Sequence, residues 1–109
     1  YRRCNERTAV GEMREGLLQK YYKSLCAKHE VFWRKIKFEG QNGCPDTFIA
    51  HKGRVIWIEL KSDKGKLSKI QIWQIKQMKA AGLDVRVINS KEKIDDTVKE
   101  IIGETTGSG

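Results

Sequence analysis

Apolar positions in the first third of the chain recur at helical spacing. From about Thr8 to Lys28, Leu17, Leu18, Tyr21, Tyr22 and Leu25 form one stripe, while Glu12, Glu15 and Gln19 step by three and four along another, the pattern of an amphipathic helix. The period then shortens. Between Val31 and Phe38 the residues alternate, with Phe32, Arg34, Ile36 and Phe38 on one side and Val31, Trp33, Lys35 and Lys37 on the other, which predicts a strand. The segment Glu39-Gly40-Gln41-Asn42-Gly43 is a loop by composition, and Pro45, the single proline, suits the start of a strand, where its missing N–H costs least. A strand from Asp46 to Ala50, a turn at His51-Lys52-Gly53-Arg54 and the apolar, β-branched run Val55 to Leu60 together predict a hairpin whose second arm is a central strand.

The next helix marks its own ends. Ser68 and Gln71 make an S-x-x-Q capping box, Leu67 and Ile72 occupy the positions of a hydrophobic staple, and Gly82 stands where a helix running to Ala81 needs a left-handed residue. Leu83 to Ile88 follows as a strand, and Ser90 can cap a last helix with Ile94, Val98, Ile101 and Ile102 on one face. The order is helix, three strands, helix, strand, helix. It predicts an α/β fold, a mixed four-stranded sheet flanked by helices, formed by residues 1–103 as a single domain with 104–109 as a flexible tail.

Composition narrows the partner. At 109 residues the chain is the size of one compact domain. Its 22 Lys and Arg against 14 Asp and Glu give a formal charge of +8, which favours a polyanion, nucleic acid first, through counterion release. A membrane surface would call for a basic amphipathic helix with a broad apolar face or a lipidation motif, and neither is present. Cys4, Cys26 and Cys44 are scattered with no CxxC pair, so a disulfide framework and a zinc cluster are both unsupported. No segment has the apolar run of a signal peptide or a membrane span, and a soluble, cytoplasmic protein is expected.

The hairpin carries the chemistry. With its turn centred on Lys52-Gly53, opposed residues sum to 105, so Ala50 faces Val55 and Asp46 faces Glu59. Like charges directly opposed across two strands destabilise a sheet unless something neutralises them. A hard divalent cation such as Mg²⁺ would do so, since it takes carboxylate and carbonyl oxygens and leaves room for substrate phosphate. Period two puts Lys61 on the same face, one step on, where its ammonium can offset charge building on a phosphodiester under attack.

Gly43-Cys44-Pro45-Asp46, a spacer of twelve residues and Glu59-Leu60-Lys61 resemble the PD-(D/E)xK signature of many nucleases. More narrowly, G-x-P-D, I-E-x-K, Leu67-Ser68-Lys69-Ile70-Gln71 and Ala81-Gly82-x-x-Val85-x-Val87 resemble the VRR-Nuc family over roughly residues 12 to 95. The resemblance implies a restriction-endonuclease-like core and a DNA endonuclease dependent on Mg²⁺ or Mn²⁺. For minimal stand-alone members, encoded by phages or bacteria, it implies homodimers acting on branched DNA such as Holliday junctions. It makes Asp46 and Glu59 metal ligands, with the Leu60 carbonyl as a further ligand and Lys61 orienting or activating the water. Gln71 matches the glutamine of the family's helix motif, although the capping box alone would also account for it. An acidic residue on the first helix is expected as well, and Glu15 matches better than Glu12, although a solvated helical stripe would explain either.

Lys64, Lys66 and Lys69 follow directly from that strand and are expected to contact phosphate. His29 and His51 have no partner at metal-ligand spacing and read as surface residues, and Trp33, Trp57 and Trp73 read as core or interface. A non-catalytic DNA-binding module with a nuclease fold is the alternative from another class. A degenerate copy of that kind would be expected to lose one of Asp46, Glu59 and Lys61, and all are present. A restriction-type duplex nuclease is the third reading, disfavoured because so short a chain leaves little room for a recognition domain.

Overall fold

The computed structural model describes residues 14–62 and 64–103. Helix α1 spans Glu15–Lys28 and is followed by strands β1 (Phe32–Lys35), β2 (Thr47–His51) and β3 (Arg54–Leu60), helix α2 (Lys69–Ala80), strand β4 (Val85–Ile88) and helix α3 (Lys91–Ile101). The order is the one the sequence pattern predicts. Residues 8–13 of the expected first helix, Glu12, Cys4 and the 104–109 tail lie outside the described residues.

The sheet runs β1-β2-β3-β4, with β1, β2 and β3 antiparallel in turn and β4 parallel to β3, so it is mixed. Lys52 (φ 50°) and Gly53 (φ 87°) both take positive φ, as a two-residue hairpin turn matched to strand twist requires. That turn sets the register: His51 pairs with Arg54, Ala50 with Val55 and Thr47 with Ile58. The expected strand from Val31 to Phe38 is shorter, ending at Lys35, although the Ile36 N–H still donates to the Asp46 carbonyl at 2.8 Å. Beyond it the chain leaves the sheet to make the loop that returns to β2.

One face of the sheet is the core. Ile49, Ile56, Ile58, Leu60 and Ile88 pack against Leu18, Tyr22 and Cys26 of α1 and Ile94, Val98 and Ile101 of α3. The α1 stripe therefore steps by four through Leu18, Tyr22 and Cys26, and Leu17, expected on that stripe, is 37% exposed. Capping follows the sequence: Ser90 Oγ accepts from the Lys93 N–H, and Ser68 Oγ accepts from the Gln71 N–H while Gln71 Oε1 accepts from the Ser68 N–H. At the end of the sheet where β3 and β4 begin, Arg86 pairs with Asp84 (2.7 Å) and Glu100 (2.8 Å), fastening α3 to β4.

The opposite face is only partly covered. Helix α2 lies against β4 and buries Ile75 and Val85, but Ile70, Ile72 and Trp73 of α2 stay exposed, so Ile72 closes no buried staple and Trp73 is not core. Across β1, β2 and β3, Phe32, Phe48 and Trp57 form a chain of ring contacts at 6.0 and 5.0 Å, with Phe32 48% exposed.

The two faces should respond differently to truncation. Ile58→Ala should cost about 2–5 kcal/mol, the range for a buried Ile that leaves a cavity. Val87→Ala, at a half-exposed position on the open face, should cost well under half as much. Urea unfolding of both variants checks this, and equal losses would mean that the open face is packed in solution.

Candidate active site

Glu59 is the residue on which the site turns. It occupies the second-last position of β3 between two hydrogen-bonded strands, and its side chain is 8% exposed. Ile58 and Leu60 on either side point into the core, so alternation sends Glu59 to the other face. Asp46 immediately precedes Thr47, the first residue of β2, and the Thr47–Ile58 pairing puts it beside Glu59 at the next step of the ladder. The expected strand start at Asp46 is thus one residue early, and the expected juxtaposition is present. Asp46 is itself exposed, with its backbone held by the hydrogen bond from Ile36.

The electrostatics follow from that placement. Burial, then the Asp46 charge, pushes the Glu59 carboxyl up to about 7, with Lys61 drawing it down and Glu15 adding a smaller upward push. Lys61 continues the β3 ladder by one step, its N–H donating to the Ile88 carbonyl at 3.0 Å. Its ammonium and the Glu15 carboxylate at the start of α1 are therefore both within electrostatic range of Glu59. Leu60 points its side chain into the core, so its carbonyl is what it can offer a ligand.

Gln71 joins the cap of α2 to the site. Its Oε1 accepts from the Ser68 N–H at 2.8 Å while its Nε2 donates to Glu59 Oε2 at 3.4 Å, so one amide serves both purposes. The loop carrying Asp46 is docked on the same turn of helix. Gly43 has φ +87°, and a Cβ there would lie 3.0–3.2 Å from Ile70 and the Gln71 nitrogen, too close for any side chain without displacement. Gln74, 7% exposed, donates through Nε2 to the Asn42 carbonyl at 3.0 Å. Gln74 belongs to no motif in the sequence. Its one signal is a spacing of three from Gln71, which puts both amides on the same side of α2.

Lys64, Lys66 and Lys69 are exposed on the 64–69 segment leading into α2. The two histidines are peripheral: His29 caps the end of α1 and His51 flanks the hairpin turn. Among the described residues no group of three or more His, Cys, Asp or Glu is disposed to hold a metal, so Glu15 is not gathered with the other two carboxylates. Asp46 and Glu59 form a two-carboxylate set of hard oxygen donors, with Glu59 raised toward neutrality by burial first and by Asp46 second, and that donor chemistry suits Mg²⁺ or Mn²⁺.

A solved structure described as a VRR_NUC domain matches this architecture with a TM-score of 0.70 and 26% identical residues, covering 78% of this chain and 94% of that one. The chain has the fold of a VRR-Nuc domain. No family model matches the sequence, and no curated protein does. That structural likeness makes the chain a nuclease-fold domain, and among its described residues no helix is long and apolar enough to cross a membrane.

The raised Glu59 gives this domain a pH signature. With a folded-state pKa of about 7 against an ordinary 4.5, the metal-free folded protein binds more protons than the unfolded chain between those values. Stability is therefore greatest below about pH 4.5 as far as this group is concerned, and is lost as pH rises through 7. Thermal unfolding in EDTA should show that loss, Glu59→Gln should remove it, and Mg²⁺ should offset it at pH 8. A pH dependence identical in parent and Glu59→Gln would contradict the assignment.

Proposed function

We propose that this chain is a metal-dependent, structure-selective DNA endonuclease that hydrolyses phosphodiester bonds in branched DNA such as Holliday junctions. The observation that carries the reading is the placement of a buried Glu59 beside Asp46 at the end of the β2–β3 hairpin, a repulsive pair that a divalent cation would relieve.

Asp46, Glu59 and the Leu60 carbonyl would hold Mg²⁺ or Mn²⁺, which when bound supplies Lewis-acid polarisation of the phosphodiester. The chain's own groups do the rest. Lys61 orients the attacking water and offsets charge on the phosphate. Gln71 fixes the Glu59 carboxylate through its hydrogen bond. Glu15 adds negative charge at the rim, which strengthens the demand for a cation. Lys64, Lys66 and Lys69 take phosphates of the flanking DNA. A homodimer would set two such sites against two strands, and the half-open sheet face around Phe32 and Phe48 offers apolar surface for that contact. The cytoplasm of a bacterial host, with the chain encoded by the bacterium or a phage, is the setting this reading implies.

The test pairs affinity with single-turnover cleavage on labelled junction, flap, duplex and single-stranded DNA. Asp46→Ala, Glu59→Ala and Lys61→Ala should each remove several kcal/mol of transition-state stabilisation, on the order of a thousandfold in rate, with gel-shift affinity close to the parent's. Reversing Lys66 and Lys69 to Glu should weaken binding and flatten its salt dependence. Parental cleavage by Asp46→Ala or Glu59→Ala under Mg²⁺ would remove the reading.

A further inference from the structure

Beside Asp46 opens a groove of about 500 Å³, lined by Lys35, Lys37, Phe38, Gln41, Asn42 and Cys44. Its volume falls within the roughly 300–1,000 Å³ of small-ligand sites. A space of that volume suits one nucleotide and not a base-paired duplex. Its lining combines two ammonium groups for phosphate, two amides that can both donate and accept hydrogen bonds, and one aromatic ring, the set that recognises a nucleotide freed from its helix.

The walls are held in place. Gln74, buried under the loop, donates to the Asn42 carbonyl at 3.0 Å and to Gln41 Oε1 at 3.4 Å. Gly43 lies flush on Ile70 and Gln71, and the Lys35 ammonium donates to Gln19 Oε1 at 3.2 Å. The groove is therefore continuous with Asp46 and fixed to the same helix turn that touches Glu59.

We propose that this groove takes one unpaired nucleotide of the strand being cut, adjacent to the phosphodiester at Asp46 and Glu59. The inference rests on the nuclease reading and deepens it. Extruding a base costs least where it is already unpaired, so a groove of this size selects strands near a branch or a gap without reading sequence. Lys35 and Lys37 set the affinity of this subsite, and Phe38 with the Gln41 and Asn42 amides accommodates the base.

Cys44 gives a readout independent of cleavage. It lines the groove half-exposed, whereas Cys26 is fully buried, so in a Cys4→Ser protein iodoacetamide at alkaline pH labels Cys44 selectively. In EDTA, saturating tetrathymidylate should slow that labelling about tenfold, and Lys35→Glu/Lys37→Glu should need about tenfold more oligonucleotide for the same protection. Lys35→Arg/Lys37→Arg should behave as the parent. Absence of protection, or equal protection by blunt duplex, overturns the proposal. If that same protein cuts DNA under Mg²⁺, the nuclease reading survives without the groove. Protection by tetrathymidylate in a protein that cuts no DNA keeps the groove as a single-strand site and removes the nuclease reading instead.

Discussion

The burial of the Glu59 carboxyl beside Asp46 is the constraint on which the candidate site depends. A carboxylate is placed at an 8%-exposed position of a central strand, beside a second one, and the cost is visible in its proton affinity. Strand pairing on both sides and the apolar neighbours Ile58 and Leu60 leave Glu59 no route to solvent by local rearrangement. The pair persists because the two-residue turn at Lys52-Gly53 fixes the register several residues away, and a slip of one residue would move every core isoleucine of β3 to the wrong face.

Helix α2 serves the same pair from above. Its capping box, which a helix start needs in any case, places the Gln71 amide against Glu59, and its next turn carries Gln74 under the loop that delivers Asp46. Local stability and site geometry are thus secured by the same few atoms. A substitution at Ser68 or Gly43 would be felt at the carboxylates as well as in the fold, because both positions set how the helix start meets the loop.

The sequence was most legible where a short-range rule had one outcome. The hairpin register, the Ser68–Gln71 box, the Ser90 cap and the helix–strand order all follow from neighbours within a few residues, and all are present. Legibility fell where a residue's environment is set by distant chain. Leu17 fits the apolar stripe of α1 but faces outward, because the sheet meets that helix along Leu18, Tyr22 and Cys26. Trp73 is a large apolar residue left exposed on α2, a placement that periodicity could not single out. Gln74 and the Lys35–Lys37 groove wall are visible only once the 40–46 loop is folded back onto α2. The Asp46–Glu59 pairing was readable, while the burial that raises Glu59 depends on strands on both sides of it.

Mn²⁺ binding measured by electron paramagnetic resonance on DNA-free protein at pH 6 and pH 8 tests the central claim most directly. The account predicts one site that tightens as pH rises through 7, as Glu59 gives up its proton, and that is lost in both Asp46→Asn and Glu59→Gln. Binding by Glu59→Gln with the parent's affinity and pH dependence would contradict it.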